Sequence, residues 1–343
     1  MVDGVLGRRA LALVLVAEEA AGVHALRALA KTEHRIHAVL TRGLDDGASP
    51  SVADVARSLG LAVWPAARVR DPALALELTA ARIDQLLNVH SLYLEYEAVL
   101  AAPVIGAFNL HPGPLPHYAG LNCPSWALYH GERSYGVTVH WMAPRIDTGP
   151  IAYAATFDID PTDTAFRLSA KCVTAGLPLL RRLVDNAATD ASAIPALEQD
   201  LARRRCFGRR APRNAAIGWA EPAHRIAGLV RACNYAPYVS PWGQAHARWH
   251  GQRVEILDVA RTGVACDARP GVVRARAPAA VDVATGDEWL RVRSVRHDGH
   301  PLAPATLLGE GRLDDGDPGT DPSCVAKVAL ATLSPWERRA TPS

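Results

Sequence analysis

Over the first 185 residues, short apolar runs alternate with stretches of helical periodicity, and few folds accept that pattern. ALALVLVA (10–17) reads as a buried strand, AGVHALRALAKT (21–32) carries apolar residues at helical spacing, and IHAVLTR (36–42) is a second strand. Ser49 or Ser51 caps a helix over VADVARSLG, which Gly60 ends. LAVW (61–64), IDQLLNVH (83–90) and, after a short helix, VIGAFNLH (104–111) are further strands. YGVTVHWMA (135–143) and IAYAATFDI (151–159) follow, and an amphipathic helix from about Thr164 to Val184 closes the series. Short strands interleaved with helices predict an α/β unit with a Rossmann-like, mostly parallel sheet and right-handed crossovers.

The texture then changes. Residues 186–212, running into the charged RRRCFGRRAPR (203–213), read as a solvated linker. QAHARW, QRVEILDVA, GVVRARA, AVDVAT and WLRVRSVRHDG are short strands separated by turn residues, which predicts a smaller β-rich domain over 213–312. The last residues, 313–343, open with LDDGDPGTDPS and read as a tail. The expected domains are therefore 1–185 and 213–312.

A chain of 343 residues can support two such cores. Its formal charge of +2 argues against a protein built chiefly to hold nucleic acid. Six cysteines form no C-x-x-C pair and have no histidine at zinc-finger spacing, which predicts free thiols in a cytoplasmic protein and no metal site. The apolar run near the start stops at Glu18 and Glu19, so it fits a first strand better than a signal peptide. No segment reaches the roughly 18 apolar residues of a membrane span. The first strand is not followed by G-x-G-x-x-G, so nicotinamide binding is not expected, and Walker A, H-E-x-x-H and G-x-S-x-G motifs do not occur.

Residues 107–151 carry the chemistry. Asn109 and His111 stand at i and i+2 near the end of an apolar strand, so both project to one face. Pro112 keeps His111 extended, and Pro114 and Pro116 stiffen the loop beyond it. Asp147 lies in a second loop, RIDTGP, where Gly149 permits a tight turn. An amide that donates to an oxyanion, an imidazole that moves a proton near neutral pH and a carboxylate that orients the imidazole suit attack of an amine on a carbonyl.

This segment resembles the folate-dependent formyltransferases, the family of methionyl-tRNA formyltransferase, glycinamide ribonucleotide formyltransferase, the sugar N-formyltransferases and the hydrolase domain of formyltetrahydrofolate dehydrogenase. The resemblance implies that Asn109, His111 and Asp147 are catalytic and that 10-formyltetrahydrofolate is the co-substrate. It implies a folate pocket built from His90, Ser91, Leu92 and Tyr93, from Gly113, Pro114, Leu115 and Pro116, and from Ala143, Pro144, Arg145 and Ile146. RIAGLVRACNYAPYVSPWGQAHARWHGQRVEILDVA resembles the opening of the transfer-RNA enzyme's C-terminal domain, which implies an open, OB-like barrel. Three departures stand out. VAEEAAG replaces a glycine turn after the first strand, Gly113 and Pro114 replace a Ser-Leu pair, and the acidic TRGLDDGASPS replaces a lysine-rich insertion.

NLHPGPLPHYAGLNCPSWALYHGE is closest in wording to formyltransferases of natural-product assembly lines, which implies a role in antibiotic biosynthesis. The expected acceptor is then a small amine: an amino sugar, an amino acid or an aminoacyl group on a carrier protein. Nucleic acid and membrane are not expected partners, and a homodimer is allowed. The rival readings are transfer-RNA formylation, hydrolysis of formyltetrahydrofolate, and a non-catalytic folate- or carrier-binding module. Cys123 reads as a buried thiol rather than a nucleophile, and Trp126, Tyr129 and Trp141 as core aromatics. His117, Tyr118 and Asn122 are candidates to face the acceptor. Asp45 and Asp46 read as a solvated turn.

Overall fold

The structure, a computed structural model, describes residues 9–42, 50–93, 96–276 and 279–318. Ser49, Asp45, Asp46 and Cys324 lie outside the described residues. The chain divides between Gly208 and Arg209 into two compact units.

The first unit runs β1 (Ala12–Ala17), α1 (Glu19–Leu29), β2 (Arg35–Thr41), α2 (Val52–Ser58), β3 (Ala62–Pro65), α3 (Pro72–Ala80), β4 (Gln85–Val89), α4 (Glu97–Ala101) and β5 (Gly106–His111). It continues with a two-residue β6 (Ala119–Gly120), α5 (Cys123–His130), β7 (Ser134–Trp141), β8 (Ile151–Asp158), α6 (Ala165–Thr189) and a two-residue β9 (Cys206–Phe207). Ser51 caps α2 through a reciprocal pair with Asp54, the local signature that sets this helix start. The main sheet has the order β3-β2-β1-β4-β5-β7-β8. The first five strands are parallel. β7 runs antiparallel to both its neighbours, β5 and β8, and it is joined to β8 by a loop with no helical crossover.

Both faces of the sheet are covered. Leu13, Leu15 and Ala17 of β1 pack with α1, α2 and α6, while Val14 and Val16 pack with α3 and α4. Phe108 and Leu110 of β5 join the α6 side, so Asn109 and His111 take the opposite face.

The second unit holds α7 (Ala223–Cys233), β10 (His246–Trp249), β11 (Gln252–Ala265), β12 (Val272–Arg276), β13 (Ala280–Ala284), β14 (Glu288–His297), β15 (His300–Leu302), α8 (Pro304–Leu307) and β16 (Gly311–Arg312). Its antiparallel sheet has the order β10-β11-β14-β13-β12-β16. Arg248 of β10 and Asp314 exchange backbone hydrogen bonds of 3.1 and 2.9 Å, which brings the ends together into a nearly closed barrel.

Two stretches differ from expectation. Residues 313–318, expected as tail, extend the barrel: Asp315 accepts from the Trp219 N–H at 2.9 Å, and the Gly316 N–H donates to the Ile217 carbonyl at 2.8 Å. The stretch expected as a solvated linker packs on the first unit as far as Gly208. Leu197 pairs with Ile151, and β9 lies beside β6. Its contacts are mostly through backbone, which leaves no apolar periodicity to read.

Candidate active site

The antiparallel register of β5 and β7 sets Asn109 opposite His140 and His111 opposite Thr138. These four side chains share one face of the sheet. The loop between β7 and β8 folds back over that face and delivers Asp147, whose carboxylate lies 3.6 Å from His111 Nδ1 and 3.5 Å from His140 Nε2. His111, His140 and Asp147 are buried, and Asn109 is half-buried.

Each group has a fixed orientation. His111 Nε2–H donates to the Tyr118 carbonyl at 2.6 Å, which leaves Nδ1 facing Asp147. His140 Nδ1–H donates to the Trp141 carbonyl at 2.7 Å, so its Nε2 accepts from the Asn109 amide at 3.2 Å. One N–H of Asn109 remains for a ligand. The Gly120 N–H donates to Asp147 Oδ2 at 2.8 Å. Asp147 adopts a left-handed conformation, φ 52°, which costs a non-glycine residue about 1–2 kcal/mol. Two residues on, the D-T-G glycine is obligatory: a Cβ at Gly149 would stand 2.0 Å from the Trp141 carbonyl oxygen.

Charge follows from this geometry. Burial opposes ionisation of Asp147, but the charge that His111 and His140 carry when protonated, together with the Gly120 N–H, outweighs it and holds the carboxyl well below the usual carboxylate range. At His111 burial dominates and pushes the imidazole below its ordinary value, while Asp147 and the Tyr118 carbonyl pull it back up. The pair therefore rests as an ionised carboxylate beside an imidazole able to take a proton. Burial raises the Cys123 thiol well above its ordinary value, so it offers no thiolate nucleophile.

The other expected residues divide. His90 follows β4, carries an ion-pair contact of 3.5 Å to Glu19 and is felt electrostatically by His111. Ser91 N–H donates to the Asn88 side chain, and Leu92 is exposed. Ala143, Pro144, Arg145 and Ile146 lead into Asp147, with Pro144 and Arg145 exposed. Of 113–116, Gly113 and Leu115 turn inward: the Thr138 hydroxyl donates to the Gly113 carbonyl at 2.8 Å and accepts from the Leu115 N–H at 3.2 Å. That engages the Gly113 carbonyl and the Leu115 N–H; Pro114 and Pro116 are half-buried. Tyr118 is buried, with its hydroxyl donating to Glu132 at 2.7 Å. Trp141 packs on Phe108 and Trp126 on Phe207. Thr138, His140 and Gly120 were missed by sequence reasoning. Thr138 and His140 alternate on a strand whose register against β5 would have found them. Among the described residues, no group of three or more His, Cys, Asp or Glu side chains could hold a metal ion.

An amide, an imidazole and an ionised carboxylate converging beside a central strand suit a transferase that works on a carbonyl carbon. A sequence model described as formyl transferase matches residues 13–184, and one described as formyl transferase, C-terminal domain, matches 211–312. The chain belongs to the formyl transferase family.

Solved structures agree in fold. An N-formyltransferase from Helicobacter canadensis, in complex with folinic acid and dTDP-3-aminofucose, superposes with a TM-score of 0.65 at 17% identity, over 82% of this chain and 98% of its own. WlaRD, a sugar 3N-formyl transferase solved with dTDP and 5-N-formyl-THF, gives 0.62 at 15% identity over 83% and 97%. HypX from Aquifex aeolicus, in complex with tetrahydrofolic acid, gives 0.54 at 17% identity over 87% of this chain and 47% of its own.

Proposed function

We propose that this enzyme moves the formyl group of 10-formyltetrahydrofolate to the nitrogen of a small amine, with Asn109, His111 and Asp147 as its catalytic residues. The observation that carries the reading is the convergence of a spare amide N–H, an unprotonated imidazole nitrogen and an ionised carboxylate, with Cys123 held as a thiol. That set activates an amine and stabilises an oxyanion without a covalent enzyme intermediate. The folate and amino-sugar ligands of the solved structures in the same fold support it.

The residues around the constellation fit a folate. A flat ring needs apolar surface with polar edges beside it. Leu92 is exposed beyond the end of β4, and Pro144 and Arg145 are exposed in the loop that leads into Asp147. His90–Tyr93 and Ala143–Ile146 would hold it. When bound, the donor supplies an electrophilic formyl carbon. The chain's residues do the rest. Asn109 Nδ2–H donates to the formyl oxygen as it gains charge. His111 Nδ1 takes a proton from the attacking amine, becoming an imidazolium between two acceptors, Asp147 and the Tyr118 carbonyl. Returning that proton to the leaving nitrogen completes the transfer.

The acceptor is an amino sugar, an amino acid or an aminoacyl group on a carrier protein, and the setting is a cytoplasmic, antibiotic-type biosynthesis. Transfer RNA fits less well. In the barrel, Arg261, Arg291, Arg293 and Arg296 each face a carboxylate, of Glu288, Asp282, Asp258 and Glu255 respectively. Each of these pairs offsets part of the positive charge that would meet phosphates. Among the described residues no helix is long and apolar enough to cross a membrane. The test is donor consumption with a panel of amines, each product weighed by mass spectrometry. Formate release without any amine would instead mark a hydrolase, and salt-dependent binding of initiator transfer RNA would restore the nucleic-acid reading.

A further inference from the structure

The segment after α6 touches both loops that hold the reacting pair. Its β9 end lies parallel to β6. Ala119 N–H donates to the Arg205 carbonyl and Leu121 N–H to the Phe207 carbonyl, both at 2.9 Å, and Arg205 N–H donates to the Pro116 carbonyl at 3.2 Å. The Phe207 ring stacks on Tyr118 and on Trp126, each at 5.1 Å between centroids. These contacts order 116–121, the stretch whose Tyr118 carbonyl holds His111 and whose Gly120 N–H holds Asp147.

The upstream part of the same segment grips the other loop. Trp141 Nε1–H donates to the Pro195 carbonyl at 2.8 Å, and Leu197 exchanges backbone hydrogen bonds of 2.8 and 2.9 Å with Ile151. Between these pins, Gln199 Nε2 donates to the carbonyls of Asp147 at 3.1 Å and of Gly149 at 2.6 Å. Arg204 donates to the Ile146 carbonyl at 2.9 Å. Residues 195–208 fall between the two stretches that match the family models, 13–184 and 211–312.

We propose that residues 195–208 form a positioning strap that sets the alignment of His111 with Asp147, and that Gln199 is its principal positioning residue. The physical need is plain at Asp147. A left-handed non-glycine residue persists only where its surroundings over-determine it. Gln199 is buried and satisfies the carbonyls on both sides of Thr148, so the turn cannot relax without stranding them. One segment thus holds the imidazole's partner loop and the carboxylate's own loop together.

The proposal rests on His111 and Asp147 being the reacting pair. Its test uses Gln199→Met in the full chain, a side chain of similar length with no donor. The charged and titratable groups that act on His111 are Asp147, His140 and, most weakly, His90, and this substitution changes no charge among them. Turnover is followed with donor and amine, and the His111 imidazole is titrated by nitrogen NMR, assigned with His111→Gln. The expected result is a fall of about 10–100-fold in kcat with KM for both substrates within about threefold, the scale of a small misplacement of catalytic groups. The His111 titration point moves down as the carboxylate withdraws. Arg204→Gln, read the same way, gives a smaller fall and decides the matter if Gln199→Met does not fold. Loss of the Arg204 charge would by itself move the titration upward, so a downward shift reports alignment. Wild-type turnover and titration in the folded variants overturn the proposal, as does lost turnover with the His111 titration unmoved. The NMR readout needs no turnover. If the wild-type enzyme transfers no formyl group, the functional reading fails while the strap is still judged.

Discussion

His111 Nδ1 and Asp147 Oδ2 stand 3.6 Å apart, and the groups that fix them lie two residues apart on one loop. The Tyr118 carbonyl takes the far nitrogen of the imidazole, and the Gly120 N–H takes the carboxylate oxygen that faces it. The loops that carry His111 and Asp147 therefore form one hydrogen-bonded unit, and disturbance of either member is felt by the other.

Asp147→Asn keeps the side chain's shape and removes its charge. The carboxylate now raises the His111 pKa against the larger downward effect of burial. Its loss lowers that pKa further and deprives the imidazolium of its partner. We expect kcat to fall about 10²-fold or more, the scale of one preorganised electrostatic contact. The acid limb of the pH profile, already below the ordinary 6.5 for a histidine, moves to lower pH. Steady-state rates from pH 5 to 8 check both.

His111 also links stability to pH. Its folded pKa is lowered, so below 6.5 the unfolded chain takes up a proton that the folded chain resists. Stability from this group is complete above that value and declines as pH falls from about 7 toward 5. Asp147 has the usual carboxylate sign: its depressed pKa contributes stability above 3.8, lost only as pH drops through the folded value. Urea melts at pH 7.5 and 5.5 should show a smaller stability loss for His111→Gln than for wild type.

Thr138 lies under the loop that follows β5. Its hydroxyl serves both the Gly113 carbonyl and the Leu115 N–H, and it is 1% exposed. Thr138→Val keeps the volume and strands both backbone groups, each worth roughly 1–3 kcal/mol when left unpaired in the interior. Denaturant melts should show a loss of about 2–6 kcal/mol, with turnover reduced because Pro112–Pro116 no longer backs His111.

Sequence reasoning singled out Asn109 and His111 because alternation along a strand is local, and Asp147 from its RIDTGP turn between two strands, to which the resemblance then added. The alternation of strands and helices likewise located the main sheet. His140 escaped because its role depends on the antiparallel register of β7 against β5, which is set by pairing across 31 residues. Gln199 and Arg204 escaped for a different reason. They act on backbone carbonyls 50 or more residues away, and a polar, proline-bearing segment looks the same whether it is solvated or pinned. The start of the presumed tail was misread likewise: Asp314, Asp315 and Gly316 resemble a solvated run, yet they pair with Arg248, Trp219 and Ile217.

The most direct measurement is single-turnover transfer of labelled formyl from 10-formyltetrahydrofolate to an accepted amine by wild type, Asn109→Ala and His111→Ala, each checked for folding by circular dichroism. We predict one formyl-amine formed per donor consumed in wild type, and a fall in rate of about 10²–10³-fold in either variant, as for loss of an oxyanion donor or proton acceptor. A folded His111→Ala enzyme that transfers formyl at the wild-type rate would contradict the account.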